Sequence, residues 1–201
     1  MSICSEIVDS FFKLYTIKDL ECITTREIIN LAGCNRSTFY DYYFDKYDVL
    51  ETTKKYLINH INANSSLYLS VFLNENDIQT DLFSVYLVHK YANYLRPLLN
   101  KDLCFANEYK DAIKSIFSGK VIFRPFDTPK EFIDDQVAAN ITYQTFRYIN
   151  GTIRDREYIQ SVKFVFQNAM VDFQPYRNSN LRFEIIPKVS LRNGKRMKIT
   201  V

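Results

Sequence analysis

Residues 24–50 read TTREIINLAGCNRSTFYDYYFDKYDVL. Thr24 and Glu27 stand three apart, ahead of apolar Ile28, Leu31 and Ala32. In that pattern a hydroxyl and a carboxylate satisfy the free amides of a helix start. Gly33 can take the positive φ that closes a helix. Asn35 then caps a second helix, on which Phe39 and Tyr43, four apart, share one face. Asp45 opens a third, DKYDVLETTKKYLINHI, with Val49, Leu50, Leu57 and Ile61 on its apolar side. The stretch predicts helices over 25–32 and 36–43, a tight turn at Gly33, and a long helix from Lys46 to about Ile61. Ile3, Ile7, Phe11, Leu14 and Tyr15 recur at helical spacing and predict an earlier helix over residues 2–15.

Two short helices joined by a tight turn are the helix-turn-helix layout. Its mechanism is geometric: the second helix enters the major groove, and its N-terminal residues reach base edges. The aromatic residues of the quoted stretch are in surplus. Tyr40, Tyr42, Tyr43 and Phe44 exceed what one short helix can bury on one face. Phe39 and Tyr43 are core by period. Tyr40 and Tyr42 flank that face, either as half-buried structural tyrosines or as hydroxyl donors to an outside partner.

Beyond this stretch the chain reads as further helices. DLFSVYLVHKYANYLRPLL is one, with Pro97 limiting its end, and FANEYKDAIKSIFSG another, closed by Gly119. VIFRPFDTP reads as a loop. Helices follow over 129–149 and 155–173, the latter ended by Pro175. No strand-like alternation is evident before residue 176. The last segment differs, with RFEII and VSLR-NG-KRMKITV flanking Asn193-Gly194, a two-residue hairpin signal. A short β-hairpin and a disordered arm are both compatible with it.

The composition bounds the function. The 201 residues, 47% hydrophobic and 24% charged, suit a folded chain with an ordinary core. No run of eighteen apolar residues predicts a membrane span, and the N-terminus lacks the basic n-region of a signal peptide. Cys4, Cys22, Cys34 and Cys104 are scattered, the pattern of reduced thiols in a cytoplasmic protein. Cys34, in the turn, reads as a small apolar packing residue before a redox switch. With His60 and His89 the two histidines and the cysteines unclustered, no metal site is expected. No G-x-S-x-G, Gly-rich phosphate loop or H-E-x-x-H is present, so neither catalytic site nor cofactor is expected. Net charge is +3 but uneven: residues 176–201 hold seven basic residues and one acid, whereas the first fifty hold five basic and eight acidic. An acidic head runs against the usual trend for nucleic-acid binders.

With Ala32, Gly33, Thr38, Phe39, Tyr40, Tyr43, Lys46, Val49 and Leu50 at their spacings, the stretch resembles the N-terminal domain of TetR-type transcriptional regulators. The resemblance implies an all-α chain with a three-helix helix-turn-helix head. That head covers residues 1–50, a helical effector-binding and dimerisation domain 51–175, and a basic tail 176–201. It implies a sequence-specific DNA-binding regulator, a ligand-relieved repressor working as a homodimer on a palindromic double-stranded operator. Thr25 and Arg26 would touch backbone and base. Arg36, Ser37, Thr38, Tyr40 and Tyr42 would meet bases and phosphates, and Lys46 would hold a phosphate. The chemistry suits these roles: an arginine fork matches guanine, and hydroxyls donate to phosphate oxygens. Asp41 departs from the family pattern. It repels phosphate, and it can accept from a cytosine amino group or tie down Arg26 or Arg36. The rival reading is a TetR-like interaction or co-activator module that does not read DNA.

The resemblance also implies an unknown small-molecule effector held among the helices from Thr80 to Phe117. Phe83, Tyr86, His89, Tyr94, Phe105 and Phe117 are the candidate lining. The same aromatic stripe also reads as plain core. Self-association falls to the helices over 129–149 and 155–173. There Ala138, Ala139, Thr142 and Thr145 permit close approach, and Phe146, Val162, Phe166 and Ala169 can bury against a partner.

Overall fold

In a computed structural model, the described residues are 2–73, 78–123 and 129–172. Helix α1 (Ile3–Ile17) begins where the Ser2 hydroxyl accepts the Ser5 amide at 3.3 Å. It buries Ile7, Phe11, Phe12 and Tyr15. A single 3-10 turn, Leu20–Cys22, leads to α2 (Thr25–Ala32). The capping box forms on both sides: Glu27 N donates to Thr24 Oγ1 at 3.3 Å, and Thr24 N to Glu27 Oε2 at 3.0 Å. Gly33, at φ +63°, closes the helix in the left-handed region. Asn35 Oδ1 accepts the Thr38 amide at 2.7 Å and starts α3 (Arg36–Tyr42), which ends as Tyr43 turns extended. Asp45 caps α4 (Lys46–Ala63) through the Asp48 amide at 2.9 Å. Each of these starts is a side-chain oxygen meeting an amide that no helix bond satisfies.

The body is built from α5 (Ser65–Leu73), α6 (Ile78–Lys101), α7 (Leu103–Phe117), α8 (Lys130–Ile149) and α9 (Asp155–Ala169). Helix α7 packs on α8, α8 on α9, α1 on α6 and α4 on α7. One apolar cluster runs from Ile7, Phe39 and Val49 in the head to Leu98, Phe105, Ile116 and Phe166 in the body. The all-α expectation therefore holds.

Three details differ from the sequence reading. Helix α5 has no amphipathic period, being apolar almost throughout, so periodicity passes over it. Pro97 does not end its helix but lies inside α6. A proline removes one ladder bond, and here Leu95 and Leu98, both buried, hold the last turn by packing. Finally, Ile122–Phe123 pairs antiparallel with Met170–Asp172, so α9 stops at Ala169. Runs of two and three residues are too short to display a period of two. The expected basic tail and its hairpin, 176–201, lie outside the described residues.

Lys46 ties the head together. Its ammonium donates to the carbonyl oxygens of Leu20, Glu21 and Ile23 at 2.7, 3.0 and 2.8 Å. It thereby clamps the start of α4 onto the connection between α1 and α2. Lys18 adds an ion pair to Glu27, joining the end of α1 to the first turn of α2.

Phe39 is fully buried, whereas Tyr42, at the flank of the same face, is 46% exposed. Phe39→Ala should lower the unfolding free energy by about 3–5 kcal/mol, and Tyr42→Ala by no more than about 0.5 kcal/mol. Denaturant titration of both variants measures this, and equal losses would contradict the assignment of Phe39 to the core and Tyr42 to the exposed flank. The Lys18 ammonium, then the Thr24 amide and hydroxyl, hold the Glu27 carboxyl down at about 2. A carboxyl held below its ordinary 4.5 contributes stability above that value and loses it as pH falls toward 2. A carboxyl-detected NMR titration should give Glu27 a midpoint near 2; a midpoint near 4.5 would contradict the capping geometry.

Candidate nucleic-acid interface

Helix α3 has seven residues, too few to stand alone in water. Phe39, at 0% exposure, and Tyr43, at 6%, hold it to the core. Tyr43 also meets Cys4 Sγ on α1 through its hydroxyl at 3.2 Å. Burial pushes the Tyr43 phenol well up, so it stays neutral.

With those two rings fixed, the flanking residues are presented to solvent. Arg36, Ser37, Asp41 and Tyr42 are exposed, Tyr40 is exposed with its ring braced, and Thr38 is half-buried. The Tyr40 ring stands edge-on to Phe39 at 5.4 Å between centroids. Arg36 lies 5.6 Å from the centre of the same ring. A guanidinium over an aromatic face is weakly held and keeps its donors for another partner. Ser37 Oγ donates to Asn35 Oδ1 at 2.7 Å, which keeps the turn rigid at the tip of α3. On α2, Arg26 is exposed and Thr25 half-buried in the first turn. Thr25, Arg26, Arg36, Ser37, Thr38, Tyr40 and Tyr42 thus share the helix-turn-helix unit.

Lys46 is used differently from the expected phosphate contact. An ammonium has three donors, and all three reach carbonyl oxygens inside the head. Sequence reasoning did not single out Tyr47. It is 46% exposed, and the Lys46 ammonium lies 5.1 Å from its ring centre. The aromatic surplus of the stretch was its signal. Among the described residues Asp41 forms no ion pair, so neither Arg26 nor Arg36 is tied to it. Cys34 is half-buried, and burial pushes its thiol up, away from the reactive thiolate.

Of the six residues expected to line an effector pocket, the five whose side chains are described are not brought together. Phe105 and Phe117 are fully buried in the core, Phe117 edge-on to Phe166 at 5.5 Å. Tyr86 is 58% exposed and His89 is exposed. Tyr94 reaches α1, where its hydroxyl donates to Asp9 and its ring lies 5.0 Å from that of Phe12. The side chain of Phe83 lies outside the described set. The enclosed space in the body is a cavity of about 20 Å³ between Tyr68, Val88, Tyr109, Ile141, Tyr158 and Val162. That is room for about one water. Burial pushes the Tyr109 and Tyr158 phenols up, and the Tyr158 hydroxyl meets Thr145 Oγ1 at 3.3 Å. Lys163 closes one side, paired with Asp81 at 2.6 Å.

Four of the residues expected at a partner are spent inside the protomer: Ala138, Thr145, Val162 and Phe166 are at most 3% exposed. They fall on the sides of α8 and α9 that pack against the rest of the body. The outer side of α8 carries Phe132, Gln136, Ala139, Tyr143 and Phe146 at helical spacing. Phe132 is 54% and Tyr143 57% exposed, and the Tyr143 and Phe146 rings lie near parallel, 6.5 Å apart. Ala169 lies outside the described side chains. Among the described residues, no helix is long and apolar enough to cross a membrane.

No protein-family model matches this chain, and no curated protein matches it. Solved structures do. The dihydroxyacetone kinase operon activator DhaS superposes with a TM-score of 0.58 at 17% identity, over 83% of this chain and 96% of its own. A protein described as a TetR-family transcriptional regulator from Syntrophomonas wolfei superposes with a TM-score of 0.58 at 19% identity, over 82% and 93%. At such identities the likeness is one of fold. The chain has the fold of the TetR-family transcriptional regulators.

Proposed function

We propose that this protein is a sequence-specific DNA-binding transcriptional regulator, acting as a homodimer on a palindromic operator. The observation that carries the reading is the outer face of α3. Arg36, Tyr40 and Tyr42 stand on a helix fixed from behind by Phe39 and Tyr43, and the core uses none of the three. Arg36 supplies a fork for guanine. The hydroxyls of Tyr40, Tyr42, Thr38, Ser37 and Thr25 supply donors to phosphate, and Arg26 a second cation at the start of α2. Lys46 acts from behind, holding α4 against the head.

A dimer is required mechanically, because two α3 helices must sit one turn of B-DNA apart, about 34–36 Å. The stripe Phe132, Gln136, Ala139, Tyr143 and Phe146 is the surface proposed for it, with the neighbouring outer side of α9. Relief of repression would follow when a small molecule enters the body and moves α4, which runs from Lys46 in the head to Ala63 in the body. The cavity among the tyrosines is the space a ligand would enlarge. Asp41, exposed and without an ion pair among the described residues, favours the rival reading of a module that has lost operator reading.

An operator obtained by selecting bound genomic fragments allows the test. Arg36→Ala should weaken its binding by about 1–3 kcal/mol and relax the preference at one base pair. Lys46→Met should lower thermal stability and leave the salt slope of binding unchanged. A slope lower by about 1 would mean that Lys46 holds a phosphate after all. For the dimer, Tyr143→Arg should halve the mass seen by light scattering and weaken operator binding together. A dimer undisturbed by that change would exclude the α8 stripe.

A further inference from the structure

We propose a second ligand site, for a small molecule bearing phosphate groups, in the open groove between α6 and the turn joining α8 to α9. This site is independent of the DNA-reading face and of the tyrosine cavity. The groove holds about 570 Å³, within the range of small-molecule sites. Its lining brings together Arg96 from α6 with Arg154 and Arg156 from the start of α9, beside His89 and Asn93. Asp155 is the one acid of that lining, and its Oδ1 already accepts the Tyr148 hydroxyl at 2.9 Å.

The three guanidiniums meet no carboxylate in an ion pair among the described residues. Among the described residues, none of Arg96, Arg154 and Arg156 forms an ion pair. Arg96 Nε donates to the Ile149 carbonyl at 2.8 Å, which anchors that side chain at the groove and leaves its outer nitrogens for a ligand. Glu157, the next acid along α9 after Asp155, is engaged by the Arg154 amide at 2.8 Å rather than by an arginine side chain. Three cations against the single carboxylate of Asp155 leave the groove net positive, and an anion between them offsets that charge. Planar forks match phosphate oxygens two at a time. Buried Ile149 and Ile153 give the groove an apolar side for the rest of the ligand.

Calorimetric titration with inorganic pyrophosphate, at constant ionic strength set by sodium chloride, tests the proposal. The full chain should bind it, and Arg154→Ala combined with Arg156→Ala should weaken binding about ten-fold or more. Both side chains are exposed, so the variant should melt with the wild type, and Arg156→Gln alone serves if it does not. Equal affinity in wild type and variant, or no binding at about 10 mM, would overturn the proposal. So would a variant that binds pyrophosphate normally but grips random duplex DNA less tightly, because the groove would then be a DNA-backbone contact. Loss of operator reading by Arg36→Ala leaves the pyrophosphate result unchanged, so the two readings fail separately.

Discussion

Burial of one ring, Phe39, underlies the arrangement of the head. A seven-residue helix has too few internal hydrogen bonds to repay its own ordering. Helix α3 exists because Phe39 and Tyr43 are packed against the rest of the head. Everything outward follows from helical geometry. With those two positions inward, Arg36, Tyr40 and Tyr42 flank them and stay exposed. The core thus determines which residues meet solvent, and Asn35 and Gly33 determine where the helix starts.

A second set of contacts joins head to body. Lys54 on α4, 7% exposed, pairs with Asp102 at 2.9 Å, and Asp102 also caps α7 through the Phe105 amide. Lys101 donates to the carbonyls of Tyr15 and Lys18 at 2.8 and 2.9 Å. Tyr94 reaches Asp9 on α1. Movement of α6 or α7 is therefore felt by α1 and α4 through charged and hydrogen-bonded contacts. Breaking one partner of a buried pair such as Lys54–Asp102 strands the other charge.

Most of the head was legible in the sequence. Capping residues are local signals, and the Thr24–Glu27 box, Gly33, Asn35 and Asp45 all act as their spacing predicts. The body was less legible. Helix α5 hides its period because it is apolar on nearly every side. The aromatic stripe of α6 and α7 gave helices but not their partners: of Tyr86 and Phe105, both predicted to line a pocket, the first is exposed and the second buried in the core. Lys46 illustrates the same limit. Its spacing marks it as important, yet what it touches lies 23 to 26 residues earlier in the chain. The tyrosines of the cavity, Tyr68, Tyr109 and Tyr158, come from three helices that periodicity reads one at a time.

The central claim is that the outer face of α3 reads base sequence despite an acidic head. The most direct measurement is the ratio of affinities for a selected genomic fragment and for random duplex of equal length, at one fixed salt concentration. The account predicts a preference of about 10³ or more. Equal affinity for the two, or no binding to either, would contradict it.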